Sequence, residues 1–475
     1  MENDISINIK KVMIVFLLCF ISIISYITYF ELFKAQDIAK SQYNKRLWAI
    51  RNEVLRGTIY DRNMKPLTKS DRVNTETQKR EYTGGALFAH ALGYVDIKYG
   101  MTGLENTYDP DLMHAQSQSL IEYIKNKGKA EEKIGRNLKT TLDYNVQKTA
   151  FDMLGDNRGA VVALNPKTGE VLALVSKPSF DPNDLANSWA DLNKEGSNRP
   201  LLNRATSGLY PPGSTFKTVT SVSALENIKG ITTRRFEDKG KIYFNNKYSL
   251  NNFGGEVLGN IGFKEAYYES SNAFFGTIGM ELGNDKLKET AEKFYFNKNI
   301  PSEGLVIENS KFPKVPKTEP GNIAQTAIGQ GADLATPMEM ALVASTIAND
   351  GVMMRPSLVK EVIDPKGNLV RSIEPQILSN VTSKDNAAIM KDYMRAVVTN
   401  GTGGNAEVPG IKVAGKTGTA DHNDEPNSIP HSWFIGFAPY DNPQIAVAVI
   451  VEDGGQGGIA AAKIAGQVMK SALKK

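Results

Sequence analysis

Near the start of this chain, nineteen consecutive residues carry no charge: Val12 to Phe30, VMIVFLLCFISIISYITYF. As a helix rising ~1.5 Å per residue, the run spans about 28 Å, close to the hydrocarbon thickness of a bilayer. Lys10 and Lys11 abut its start, which favours a cytoplasmic N-terminus. A cleaved signal peptide is the rival reading. The run is longer than a usual signal core, and Glu31-Leu-Phe-Lys34 comes after it where a small-x-small cleavage site would stand. Leu18 before Cys19 is also not the small residue that lipoprotein processing wants. An uncleaved single-pass membrane anchor is expected at 12–30, after a cytoplasmic tail at 1–11, with the remainder extracytoplasmic.

Cys19, the only cysteine, falls inside that anchor, so no disulfide and no cysteine metal site is available to the rest of the chain. The four histidines (His90, His114, His422, His431) have no metal-ligand spacing, and neither a metal nor another cofactor is expected. A length of 475 residues exceeds one ordinary core, so two or three modules are expected. The 41% apolar and 23% charged content is that of a folded protein. A net charge of +4 is too slight over this length to indicate nucleic acid.

After the anchor, residues 31–137 are mixed and polar, with a charged stretch from Ser117 to Lys133 that reads as a helical junction. From Leu138 the pattern changes. LKTTLDYNVQKTAFDML opens as a strand and continues as an amphipathic helix capped by Asp143 or Asn145. GAVVALN and EVLALVS flank Lys167-Thr-Gly169 as a β-hairpin. IKVAGKTGTA, HSWFIGFAPY and QIAVAVIVED read as three further strands, Gly454-Gly-Gln-Gly-Gly458 as a turn, and the C-terminal segment as a helix. A long, largely helical region lies between the hairpin and the last three strands. The fold class is α/β (α+β): one mostly antiparallel five-stranded sheet flanked by helices over 138–475, preceded by a small mixed stalk.

Three short motifs stand in order in that region: Ser214-Thr-Phe-Lys217, Ser270-Ser-Asn272 and Lys416-Thr-Gly-Thr419. Singly they are weak, because Ser357-Leu-Val-Lys360, Ser471-Ala-Leu-Lys474, Ser249-Leu-Asn251 and Lys167-Thr-Gly169 match the same patterns. Lys167 belongs to the hairpin turn, and Ser471 to the last helix. Ser357 is succeeded by no Ser-x-Asn before Lys416. Ser249 lies in a polar stretch that reads as a solvated turn, and order alone does not exclude it. Ser270 lies in FKEAYYESSNAFFGTIGMEL, a helical stretch rich in aromatics, where a polar Ser-x-Asn is harder to place on the surface.

Together the motifs describe an acyl-serine enzyme that attacks a peptide-like carbonyl. Tyr210-Pro-Pro-Gly213 breaks the chain before Ser214, which puts the serine near a helix N-terminus. Lys217 lies about one turn on, so its Nζ can reach Ser214 Oγ. A lysine is a base only when neutral, and moving it from ~10.4 towards ~7 takes about 4–5 kcal/mol. Burial and a second cation supply such a shift, and Lys416 is that cation. Ser270 would relay the proton to the leaving amine, and Asn272 would orient Lys217 and the substrate amide. Thr417 and Thr419 would bind a terminal carboxylate, and Gly418 would let a substrate backbone approach closely. The bland alternatives are an N-cap role for Ser214 and a solvated Lys217. His431, Trp433 and Phe434 read as packing behind the site, and His422 as a loop residue.

With these residues in hand, the chain resembles the monofunctional class B penicillin-binding proteins. RGTIYDRN at Arg56 and GLE at Gly103 are similar to motifs of that family's N-terminal module. NRATSGLYPPGSTFK, AIGQG from Ala327, TPMEMA from Thr336, VAGKTGTA and WFIGFAPY are similar to its transpeptidase domain. The resemblance implies a D,D-transpeptidase that crosslinks the D-Ala-D-Ala stem peptides of peptidoglycan, is acylated by β-lactams, and works beside a SEDS-type membrane glycan polymerase. Two positions depart: Met64 stands where the family often has Gly, and Lys463 where relatives often have Pro. A D,D-carboxypeptidase, a class D β-lactamase and a non-catalytic β-lactam sensor or scaffold are the rival readings.

Overall fold

The computed structural model describes residues 2–34, 51–74, 77–115, 132–244, 248–421 and 428–473. Helix α1 (Glu2–Phe33) contains a segment, Ile7–Phe33, long and apolar enough to cross a membrane. Most of the Ser117–Lys133 junction and all of His422 lie outside the described residues.

Asp143 opens α2 (Tyr144–Leu154), its Oδ1 accepting from the N–H groups of Asn145 and Val146 at 2.9 and 3.2 Å. Strands β1 (Gly159–Leu164) and β2 (Val171–Lys177) then pair around the Lys167 turn, where Asn165 Oδ1 accepts from Lys167 N–H at 2.9 Å. The helical region supplies α3 (Lys217–Asn227), α4 (Asn272–Lys293) and α5 (Pro337–Ala348). Strands β3 (Ala414–Ala420), β4 (His431–Ala438) and β5 (Ile445–Val451) come next, and α6 (Ala460–Leu473) ends the chain.

The five strands form one antiparallel sheet in the order β3-β4-β5-β1-β2, the architecture read from the sequence. Its central strands are apolar at nearly every position because helices cover both faces. Ala160, Val162, Ala448 and Ile450 share one core with the fully buried α5, while Val161, Ala163, Val447 and Val449 share another with Val146 of α2 and Val468 of α6. Strand β3, carrying Lys416 to Thr419, is left at the sheet edge.

The stretch that opens at Leu138 joins a different sheet. Asn137–Thr140 lies between Ile59–Tyr60, to which it is parallel, and Val359–Ile363, to which it is antiparallel. Within the N-terminal module, the arginine of RGT meets the glutamate of GLE: Arg56 Nε donates to Glu105 Oε2 at 2.5 Å, and Arg80 reaches Glu105 Oε1 at 2.8 Å. Glu105 is fully buried between them.

Candidate active site

The turn that carries Ser214 is built by close backbone contact. Gly213 has φ +53°, and a Cβ there would lie 2.7 Å from Thr419 O, so only glycine joins the Tyr210-Pro-Pro segment to Ser214. Its N–H donates to Gly329 O at 2.9 Å, and Trp433 Nε1 donates to Pro211 O at 3.0 Å. A single 3₁₀ turn, Gly213–Phe216, carries Ser214 into α3. Thr215 Oγ1, not Ser214, bonds back to Pro212 O. The Ser214 side chain therefore caps nothing; it is half-buried and lines a cleft of about 700 Å³.

Lys217 is fully buried, so the solvated reading fails. Its Nζ lies 2.7 Å from Ser270 O, 2.7 Å from Asn272 Oδ1 and 3.2 Å from Ser270 Oγ. Those three directions occupy the amine, and a hydrogen bond to Ser214 Oγ, expected from the spacing, is not among them. Burial, then the neighbouring Lys416, hold Lys217 well below the usual lysine range, and Asp238 opposes them.

Ser270 is not inside one helix, as the sequence suggests. A helix ends at Tyr268, Ser270 turns the chain with φ +62°, and α4 starts at Asn272 with Ser271 as its N-cap. A left-handed serine costs ~1–2 kcal/mol and breaks the helix so that the Ser270 hydroxyl and carbonyl both face the lysines. Asn272 Nδ2 donates to Asn251 O at 2.8 Å. Ser249-Leu-Asn251 is not a free turn: it is a short strand with an exposed serine, and its last carbonyl fixes Asn272.

Lys416 reaches in from β3, fully buried, with Nζ 2.8 Å from Ser270 Oγ and 3.2 Å from Thr417 O. Burial lowers it to about 7. Ser270 Oγ therefore sits between the two lysine amines, within hydrogen-bond distance of both. Thr417 and Thr419, two apart on one strand, both line the cleft; Thr417 Oγ1 pairs with Thr402 Oγ1 at 2.5 Å, and Thr419 Oγ1 accepts from Gly457 N–H at 3.3 Å. A Cβ at Gly418 would lie 2.9 Å from Thr215 Cγ2 and 3.0 Å from Trp433 Cβ, so this glycine also lets the Ser214 turn pack on the strand.

His431 is buried, stacks edge-on to Tyr210 and accepts from Asp453 N–H at Nδ1, while Phe434 joins the core behind the sheet. Both are packing, as read. Sequence reasoning missed Thr402, Gln325, Gln330 and Gln456, which line the cleft. Two glutamines sit in glycine clusters, Gly329-Gln-Gly331 and Gly454-Gly-Gln-Gly-Gly458, and the second cluster reads in sequence as a plain turn. A Cβ at Gly457 would lie 2.0 Å from Gly418 O, so that turn packs directly on the site strand.

Residues 159–470 match the family described as the penicillin binding protein transpeptidase domain, and 56–138 the penicillin binding protein A dimerisation domain. The peptidoglycan D,D-transpeptidase PbpA of Mycolicibacterium smegmatis is 35% identical over 420 residues, covering 83% of this chain and 84% of the relative. A ceftriaxone acyl-enzyme complex of penicillin-binding protein A from Mycobacterium tuberculosis superposes with a TM-score of 0.83 at 31% identity, over 89% of this chain and 99% of that one. A D,D-transpeptidase domain from Eggerthella lenta gives 0.80 at 34% identity, over 89% and 98%. With the Ser-x-x-Lys, Ser-x-Asn and Lys-Thr-Gly residues gathered on one cleft, this chain belongs to the class B penicillin-binding proteins.

Proposed function

We infer that the chain is a serine-type peptidoglycan D,D-transpeptidase that crosslinks stem peptides and is acylated by β-lactams. One observation carries the assignment of roles: Lys217 and Lys416 converge on Ser270 Oγ at 3.2 and 2.8 Å, in the cleft that Ser214 lines. Ser214 Oγ attacks the penultimate D-Ala carbonyl and gives its proton to neutral Lys217. The amide C–N bond breaks, and Ser270 passes the proton to the departing D-Ala amine. An acceptor amine then attacks the ester, its proton returning by the same route to Ser214 as the C–O bond breaks. Asn272 holds Lys217 and the substrate amide. Lys416 is the second cation beside Lys217, Thr417 and Thr419 take the terminal carboxylate, Gly418 lets the substrate backbone approach closely, and the N–H groups of Ser214 and Thr419 form the oxyanion hole.

Residues 1–11 are the cytoplasmic tail, 12–30 the anchor, 31–137 the stalk module and 138–475 the catalytic domain. Lys10 and Lys11 before the anchor support an inward N-terminus and an extracytoplasmic catalytic domain. The anchor and stalk are the contact surfaces for a SEDS-type polymerase, which photo-crosslinking from those segments would test.

Intact mass after benzylpenicillin, with peptide mapping, tests the central reading. A single stable adduct on the Ser214 peptide, absent in Ser214→Ala, is expected. An adduct that vanishes within seconds while drug is consumed would make the chain a β-lactamase. A folded Ser214→Ala protein that still turned over a peptide substrate would overturn the nucleophile assignment.

A further inference from the structure

Beneath the loop that carries Ser270 lies a carboxylate with no part in the proton transfers of Ser214, Lys217 and Ser270. Asp238 ends the strand Arg235–Asp238 and is fully buried. Its oxygens accept from Gly240 N–H at 2.7 Å, from Asn252 Nδ2 at 2.9 and 3.0 Å, and from Ser271 Oγ at 2.5 Å. Every one of these donors is neutral, and among the described residues no cation lies within ion-pair distance of it. A buried carboxylate with only neutral partners is costly unless a counter-charge stands nearby.

The partners lead back to the site by two routes. Ser271 gives its proton to Asp238 and so presents Oγ lone pairs to Phe274 N–H, 2.9 Å away, as the N-cap of α4. Asn252, held by Asp238 through Nδ2, accepts from Ala273 N–H at Oδ1, also at 2.9 Å. Asp238 thereby grips residues 271 and 273, the neighbours of Ser270 and Asn272. The left-handed turn at Ser270 persists only where surrounding structure over-determines it, and these bonds do so.

We propose that Asp238, through Ser271 and Asn252, is the anchor of the loop that carries Ser270 and Asn272 and, from behind that loop, the buried counter-charge of Lys217. It is a positioning residue, since it touches neither Ser214 nor the cleft. The groups that face Lys217 are Lys416 from β3, the Ser270 and Asn272 side chains and the Phe275 ring 5.5 Å away in α4; Asp238 stands behind them on Ser271, and Tyr267 lies beside Lys416, its ring 5.7 Å from that Nζ. Burial and the neighbouring Lys416 lower Lys217, and the Asp238 charge pulls the other way.

The proposal rests on Lys217 as the base, and the test separates the two. The rate of benzylpenicillin acylation is measured against pH by intact mass, on the full chain in detergent, for wild type, Lys217→Met, Asp238→Asn, Asp238→Glu and Ser271→Ala. Lys217→Met acylating as wild type does would remove the base reading itself. Given a Lys217 requirement, Asp238→Asn should move the rising limb towards acid by about one pH unit, because the neutral amine then persists to lower pH. Asp238→Glu should keep the midpoint. Ser271→Ala, with the charge intact and the anchoring bond gone, should keep the midpoint and lower the plateau ~10-fold or more. An Asp238→Asn midpoint equal to wild type, or an acid shift in Asp238→Glu, would overturn the counter-charge. A Ser271→Ala plateau equal to wild type would overturn the anchor, and that variant decides this half even if Asp238→Asn does not fold.

Discussion

Replacing Ser270 by alanine and by glycine separates two things its hydroxyl and backbone do at once. The hydroxyl lies 2.8 Å from Lys416 Nζ and 3.2 Å from Lys217 Nζ, and both variants delete it. Lys217 keeps its bonds to the Ser270 carbonyl and Asn272, both at 2.7 Å, so the base stays in place and the kinetic loss reports the relay alone. Removing a positioned proton-transfer group slows reaction ~10²–10⁴-fold, or about 3–5 kcal/mol. Stability should diverge. Lys416 is left with one bond, to Thr417 O at 3.2 Å, and an under-bonded buried amine costs ~1–3 kcal/mol in either variant. Alanine keeps the strain of φ +62°, ~1–2 kcal/mol, whereas glycine sheds it and gives back ~0.5–1 in chain freedom. Ser270→Gly should therefore be more stable than Ser270→Ala by ~0.5–1 kcal/mol while acylating equally slowly. The assays are acylation by benzylpenicillin, read by intact mass, and thermal unfolding of the same samples. A folded Ser270→Gly protein acylating within about threefold of wild type would refute the relay. Glycine melting below alanine would refute the strain argument.

Three further outcomes concern stability. Met64 has φ +65° and an exposed side chain, so Met64→Gly should raise stability by ~0.5–1 kcal/mol, seen as a small rise in Tm; a fall would mean its side chain packs usefully. Glu105→Gln leaves Arg56 and Arg80 facing a neutral group in a buried site and should cost ~3–5 kcal/mol in denaturant unfolding; a cost below ~1 would show the cluster to be well solvated. Lys416 falls from the ordinary 10.5 to about 7 on folding, so between those values the unfolded chain binds the extra proton and stability drops as pH falls, by about 4–5 kcal/mol in all. The Tm advantage of Lys416→Met over wild type should accordingly grow from pH 10 to 7 and then level; an advantage independent of pH would contradict it.

Much of the site is legible in the sequence because its chemistry is tied to local signals. Two prolines and a glycine announce the turn before Ser214, and an apolar run broken by Lys416-Thr-Gly-Thr419 announces an edge strand with a polar task. The other four strands can be read because burial on both faces makes each a short apolar run. The hidden features depend on contacts between distant segments. The reading that puts Ser270 in a helix fails because helical propensity around it is high, and only Asp238, Asn252 and the two lysines, distant in sequence, hold it left-handed. At Gly418 nothing local reveals that Thr215 would occupy the space of its Cβ, a second reason for glycine there. Met64 is the instructive middle case. Resemblance marks its position as one where glycine is usual, and the positive φ supplies the physical reason. Residues chosen for what they do to a substrate are visible in a motif, whereas residues chosen for what they do to a neighbour become visible only when that neighbour is placed. Asp238 belongs wholly to the second kind, since nothing in Phe236-Glu-Asp-Lys-Gly240 sets it apart from its charged surroundings until the chain folds it under Ser271.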